Sequence, residues 1–170
     1  MGGRFPANFH LAITMQLNVI AVGRRMPAWI REAFTEFNRR LPAELRLNLV
    51  EIAPVTRGKN VSREKTIAEE EGRIRSAIPD DSRLVVLDEK GRQLDSRSLA
   101  AQVSTWQREG QNITFIIGGA DGLHDNIKKS ADMTWSLSSL TLPHGMVRVI
   151  LAEQIYRAWT ILNNHPYHRE

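Results

Sequence analysis

Three stretches of this chain carry residue types whose spacing suits chemistry. The first is Phe115-Ile-Ile-Gly-Gly-Ala-Asp-Gly-Leu123, where an apolar run discharges into Gly118, Gly119 and Gly122. Glycines there let a backbone approach a ligand closely or make a tight turn; taken alone, the turn is the stronger reading. The second is Trp135-Ser-Leu-Ser-Ser-Leu-Thr-Leu-Pro-His144. Its hydroxyls and main-chain groups suit a purine, with Leu137, Leu140 and Leu142 as apolar walls, and it reads equally well as an ordinary connection. The third is the chain's end, Asn163-Asn-His-Pro-Tyr-His-Arg-Glu170. Tyr167, His168 and Arg169 are residue types that stack, move protons and hold anions, with almost no aliphatic residue among them. A frayed, solvated terminus is the default for such an end.

Other chemistries are excluded by what is missing. There is no Cys, which removes thiolate nucleophiles, disulfides and Cys-based zinc sites. The five His, at 10, 124, 144, 165 and 168, form no His-x-x-x-His pair. Pro166 disfavours the helix that would stack His165 on His168, so no metal is expected. The first strand is followed by Gly23-Arg-Arg-Met-Pro rather than Gly-x-Gly-x-x-Gly, which argues against a dinucleotide site. There is neither a P-loop nor a Gly-x-Ser-x-Gly elbow. No apolar run approaches the roughly 20 residues of a membrane span. The longest, near Met146–Leu151, is interrupted by Arg148.

The elements that must position these stretches alternate. Strands are expected at Gln16–Val22, Arg46–Ile52, Arg83–Leu87, Asn112–Ile117 and Thr134–Leu137. Helices are expected at Pro27–Arg40, Ser62–Ala77, Ser96–Glu109, Asp125–Ala131 and His144–Asn163, with Ser62 and Ser96 as caps. Such alternation implies an α/β fold, a mostly parallel five- or six-stranded sheet with helices on both faces. Ligands in such sheets bind beyond the carboxyl ends of strands, here Val22-Gly23, Leu87-Asp88, Ile117-Gly118-Gly119 and Leu137-Ser138. The helix from Met146 is apolar on more than one face, so it is expected to be threaded into the fold or covered by a second subunit. Residues 1–14 lack either periodicity and read as a disordered extension; residues 15–170 read as one domain. The net charge of +4 permits a polyanion partner without requiring one. The basic run Arg57–Lys65 and the acidic run Glu69–Glu71 also read as two solvated faces of one helix.

Taken together, the ordered motifs resemble one family. They are Ile116-Ile117-Gly118-Gly119-Ala120-Asp121-Gly122, the run 136–144, Val147-Arg148-Val149, Glu153-Gln154-Ile155-Tyr156-Arg157-Ala158-Trp159 and Asn164–Glu170. From Met15 to Glu170 the chain is similar to the rRNA large subunit methyltransferase H family of SPOUT methyltransferases. The resemblance implies a C-terminal trefoil knot and S-adenosyl-L-methionine as methyl donor. It implies N3 of a pseudouridine in 23S rRNA as acceptor, and a homodimer acting on assembled ribosomes in the bacterial cytoplasm, without membrane or metal. It maps cofactor binding to Leu87, Gly118, Leu137, Ser138, Ser139, Leu140, Thr141 and Leu142. For an imide nitrogen that must lose a proton, it makes His168 a candidate base, Arg169 and Arg148 candidate cations, and Tyr167 a stacking ring. A ribosome-binding protein that uses the cofactor structurally, or an unrelated nucleotide-binding α/β enzyme, are the competing classes.

Overall fold

The computed structural model describes residues 15–56, 58 and 61–168; residues 1–14, Arg57, Lys59 and Arg169 lie outside them. Five parallel strands form one sheet: β1 (Leu17–Val22), β2 (Leu47–Ile52), β3 (Ser82–Gln93), β4 (Asn112–Ile117) and β5 (Met133–Ser136), in the order β2-β1-β4-β3-β5. The helices are α1 (Ala28–Arg40), α2 (Arg63–Ala77), α3 (Ser96–Glu109), α4 (Asp125–Ser130) and α5 (His144–Leu162). β1 and β4 read as nearly continuous apolar runs because both of their faces are covered. On one face, Leu17, Val19, Phe115 and Ile117 pack against Phe34, Val103, Trp106 and Ile155 of α1, α3 and α5. On the other, Ile20, Val22 and Ile116 pack against Ile74 of α2 and Ile127 of α4. Among the described residues, no helix is long and apolar enough to cross a membrane.

Local chemistry explains most element ends. Ser62 Oγ accepts from the Lys65 amide at 3.2 Å and caps α2. α3 is capped one residue earlier than expected: Asp95 Oδ1 accepts from the Ser98 amide at 2.7 Å. Gly110, at φ 63°, closes α3 in the left-handed conformation that favours glycine.

Two expectations change. β3 does not stop at Leu87 but continues to Gln93, because Arg92 and Gln93 pair again with Trp135 and Ser136 after a register break at Leu87/Arg92. The acidic run is not a solvated face. Glu70 is 5% exposed, and its Oε1 accepts from the Val55 amide at 3.0 Å. Arg73 Nη1 donates to the Ala53 carbonyl at 2.7 Å, so α2 is the brace of the β2–α2 loop. A third expectation, for α5, is neither met nor overturned: this chain buries one of its faces and leaves the rest partly open. Arg148, Leu151, Ala152, Ile155, Tyr156 and Ala158 face inward. Met146, Val149, Ile150 and Ile161 stay half-buried and Leu162 is exposed.

Candidate cofactor cleft and C-terminal tail

Because the strands are parallel, their carboxyl ends share one edge, and a cleft of about 790 Å³ opens there beyond β3, β4 and β5. Of the eight positions the resemblance mapped, Leu87, Gly118, Leu137, Ser138, Leu140, Thr141 and Leu142 line it. Ser139 does not; it is an exposed residue of the same loop. That loop is shaped from within. Ser136 Oγ donates to the Ser138 carbonyl at 2.8 Å, and Ser138 Oγ accepts from the Leu140 amide at 2.9 Å. Thr141 Oγ1 donates to Glu89 Oε2 at 3.0 Å, tying the loop to β3. Leu140 is 72% exposed at the mouth.

The glycine turn forms the opposite wall. A Cβ at Gly118 would lie 2.9 Å from the Gly122 carbonyl carbon and 2.9 Å from Leu123 Cγ, so the turn closes on itself at that point. Gly122 has φ 83°, and Gly119 bridges to it. The turn is tight, and it lines the cleft.

Several charged lining residues were given no role from sequence. Five carboxylates (Glu64, Asp88, Glu89, Asp121, Asp125) face three Lys/Arg cations (Arg63, Lys90, Lys128). Asp88 pairs with Lys128 at 2.7 Å. Burial pushes the Asp88 carboxyl up, but hydrogen bonds from Lys128 and the Lys90 amide outweigh it and hold the group below its usual range. An aspartate closing an apolar strand was the available signal for Asp88. His144 and Val147 bring the first turn of α5 into the wall. Among the described residues, no group of three or more His, Asp or Glu is placed to hold a metal.

Arg148 is not presented to the cleft. It is 1% exposed; its Nη1 pairs with Glu51 Oε1 at 2.5 Å and its Nη2 donates to the Gly23 carbonyl at 2.7 Å. It clamps the end of β1 to α5. Breaking a buried ion pair from one side costs about 3–5 kcal/mol. Glu51 is 32% exposed, so Glu51→Gln is expected to cost less, about 2 kcal/mol, read from the urea midpoint.

The tail folds back along α5. Asn164, at φ 52°, ends the helix, and the Tyr167 hydroxyl donates to Glu153 Oε1 at 2.9 Å. The Tyr167 ring meets that of Tyr156 edge-on at 4.7 Å and lies under Arg157 at 5.1 Å. Burial, then Glu153, push the phenol above its usual pKa, so it stays protonated as a donor. The Glu153–Arg157 pair, at 2.5 Å, thus also holds the tail. His168 lies in a second depression with Asp95, Ser96, Arg97, Arg157, Ile161 and Asn164. Its Nδ1 is buried without a hydrogen-bond partner, and no residue lines both this depression and the cleft.

The fold is similar to that of solved structures described as methylases or methyltransferases. A family model described as "Predicted SPOUT methyltransferase" matches residues 15–168, which gives the class. A "probable methyltransferase" from Bordetella pertussis superposes with a TM-score of 0.56 at 12% identity, over 86% of this chain and 95% of that one. A "probable methylase family protein" from Haemophilus influenzae gives 0.53 at 13%, over 92% and 71%. Relatives named "Ribosomal RNA large subunit methyltransferase H" are far nearer in sequence. That from Herminiimonas arsenicoxydans is 52% identical over 155 residues, 91% of this chain and 99% of its own. That from Paraburkholderia phymatum is 51% identical over the same shares. The chain belongs to the ribosomal RNA large subunit methyltransferase H family, within the SPOUT methyltransferases.

Proposed function

We propose that the chain transfers a methyl group from S-adenosyl-L-methionine to N3 of a pseudouridine in 23S rRNA, on assembled ribosomes. The observation that carries this reading is the convergence of seven mapped cofactor positions, from three separate stretches of sequence, on one cleft of about 790 Å³. That volume lies in the range of small-molecule sites. Its carboxylate excess suits a ligand bearing an ammonium and a sulfonium. Leu137, Leu140 and Leu142 offer apolar contact to the adenine, and the turn at Gly118 offers backbone. When bound, the cofactor supplies an already electrophilic methyl group.

The chain's own residues must then orient the acceptor, exclude water and manage one proton. In this reading His168 takes the N3 proton, Arg169 stabilises the resulting anion and Tyr167 stacks on a neighbouring base. Arg148 supports that chemistry indirectly, through the backbone at Gly23. The tail reaches a cleft, its own or a partner's, by leaving the seat described above. The reading includes a homodimer, one domain over residues 15–170, a trefoil knot and a cytoplasmic setting. The half-buried apolar strip on α5 supports the dimer, and the knot rests on the family resemblance alone.

Two measurements follow. Light scattering is expected to give about twice the 19.3 kDa chain mass, from an interface of roughly 1,200–2,000 Å²; a single-chain mass would remove the dimer. Gly118→Val is expected to weaken cofactor binding roughly ten-fold or more by calorimetry, as the turn is forced off Gly122 and Leu123. The test of the function is transfer of labelled methyl from cofactor to ribosomes lacking the modification. Cofactor binding without transfer would contradict it.

A further inference from the structure

Four arginines meet at the turn between β1 and α1, and they divide into two pairs. Arg148 and Arg31 point their guanidinium groups into the turn. Arg148 Nη2 donates to the carbonyls of Val22 and Gly23 at 3.3 and 2.7 Å, and Arg31 Nη1 donates to that of Met26 at 2.8 Å. The Gly23 amide donates to the Ile52 carbonyl at 2.8 Å, and Gly23 itself adopts φ 119°. The backbone from 22 to 26 is therefore pinned at four points. The other two arginines, Arg24 and Arg25, are exposed on that rigid turn. Glu51, the acid nearest in the hydrogen-bond pattern, gives its carboxylate to Arg148, and among the described residues Arg24 reaches only the Glu51 carbonyl, at 3.5 Å. Four residues beyond Arg25 stands Trp29, 55% exposed at the start of α1.

The turn borders the cleft. A Cβ on Gly23 would lie 3.8 Å from His144 Nε2, and His144 is part of the cleft wall. The next residue of α5 is close to both the turn and α1: a Cβ on Gly145 would lie 3.2 Å from Met26 Sδ and 3.5 Å from Ile30 Cδ1. β1 pairs directly with β4, so its carboxyl end lies at the same sheet edge as the glycine turn.

From this juxtaposition we propose that Arg24, Arg25 and Trp29 form an rRNA-docking lip beside the cleft. The two guanidinium groups would take backbone phosphates and the indole would stack on an unpaired base. Phosphates complement the two cations; exposed aromatic faces are the usual platforms for bases outside a duplex. The proposal rests on the rRNA substrate proposed above. It adds where that RNA is held: on the same protomer as the cleft, by residues that belong neither to the cofactor cleft nor to the tail.

The test is ribosome affinity as a function of salt for the wild type, Arg24→Ala/Arg25→Ala and Trp29→Ala, with light-scattering mass and cofactor calorimetry on each. Arg24→Ala/Arg25→Ala should flatten the log–log salt dependence by about two units, one per lost phosphate contact. Trp29→Ala should weaken binding roughly 5–100-fold, the range of one base–aromatic stack. Arg24→Lys/Arg25→Lys should restore most of the salt dependence, because a lysine keeps the charge. All variants should keep cofactor affinity and mass. Unchanged ribosome affinity in both alanine variants would overturn the proposal. A fall in mass would also overturn it, by assigning the lip to contact between subunits. Wild-type protein that binds ribosomes but transfers no methyl would instead refute the function above, and the lip would still be judged on affinity.

Discussion

Gly91→Ala is expected to lower stability by about 3 kcal/mol or more, read as a shifted urea midpoint and a lower Tm. Gly91 lies where β3 rejoins β5 after its register break. A Cβ there would sit 2.7 Å from the Trp135 carbonyl carbon, 2.8 Å from the Ser136 nitrogen and 2.8 Å from the Thr134 carbonyl carbon. All three are backbone atoms, so no rotamer change relieves the overlap. β5 would have to move, and β5 carries Trp135, which is 2% exposed and packs 6.4 Å from the Phe115 ring. It also leads directly into the loop that forms one cleft wall, so cofactor affinity should fall together with stability. The control is Gly72→Ala in α2. Nothing lies within 4 Å of a Cβ at Gly72, and removing a mid-helix glycine should stabilise by about 0.5–1 kcal/mol. Equal midpoints for Gly91→Ala and wild type would show that β5 is free to yield.

Gly91 also marks where the sequence was silent. The strand cores were legible because their apolar runs lie under helices on both faces, as in Leu17–Val22 and Asn112–Ile117. Asp88-Glu-Lys-Gly-Arg92 has no such run, and only its late pairing with β5 makes it strand. The register of that pairing is set by contact with β5, about 40 residues further along the chain, which no local pattern encodes. Glu70 was misread for a related reason. A three-carboxylate run on a helix looks solvated until the β2–α2 loop offers a buried amide to one member. The cleft fared better because glycines and hydroxyls at strand ends are themselves the signal. Arg148 fell between: its interruption of an apolar run was visible, but the two carbonyls and the carboxylate that engage it come from β1, β2 and the turn after β1.

The largest effect on rate is expected from the tail. His168→Ala and Arg169→Ala should each keep the mass and cofactor affinity of the wild type and lose roughly 10²–10⁴-fold of methyl transfer, equivalent to about 3–5 kcal/mol of barrier. The structure makes His168→Ala a clean test. His168 Nδ1 accepts and donates nothing in its present seat, so truncation removes no hydrogen bond that Nδ1 makes in the folded chain. The seat itself depends on Tyr167, whose hydroxyl binds Glu153 and whose ring packs on Tyr156. The tail can therefore lose His168 and still dock. Tyr167→Phe separates docking from chemistry in the other direction, since it loses the bond to Glu153 while retaining an aromatic ring. If the tail works only when it leaves this seat, weakening the seat should leave transfer intact or raise it, whereas His168→Ala should abolish most of it. The measurement is single-turnover transfer at saturating ribosome, which removes any defect in docking. A wild-type rate for His168→Ala under those conditions would place the proton acceptor elsewhere, and His144, already in the cleft wall, would be the next imidazole to replace.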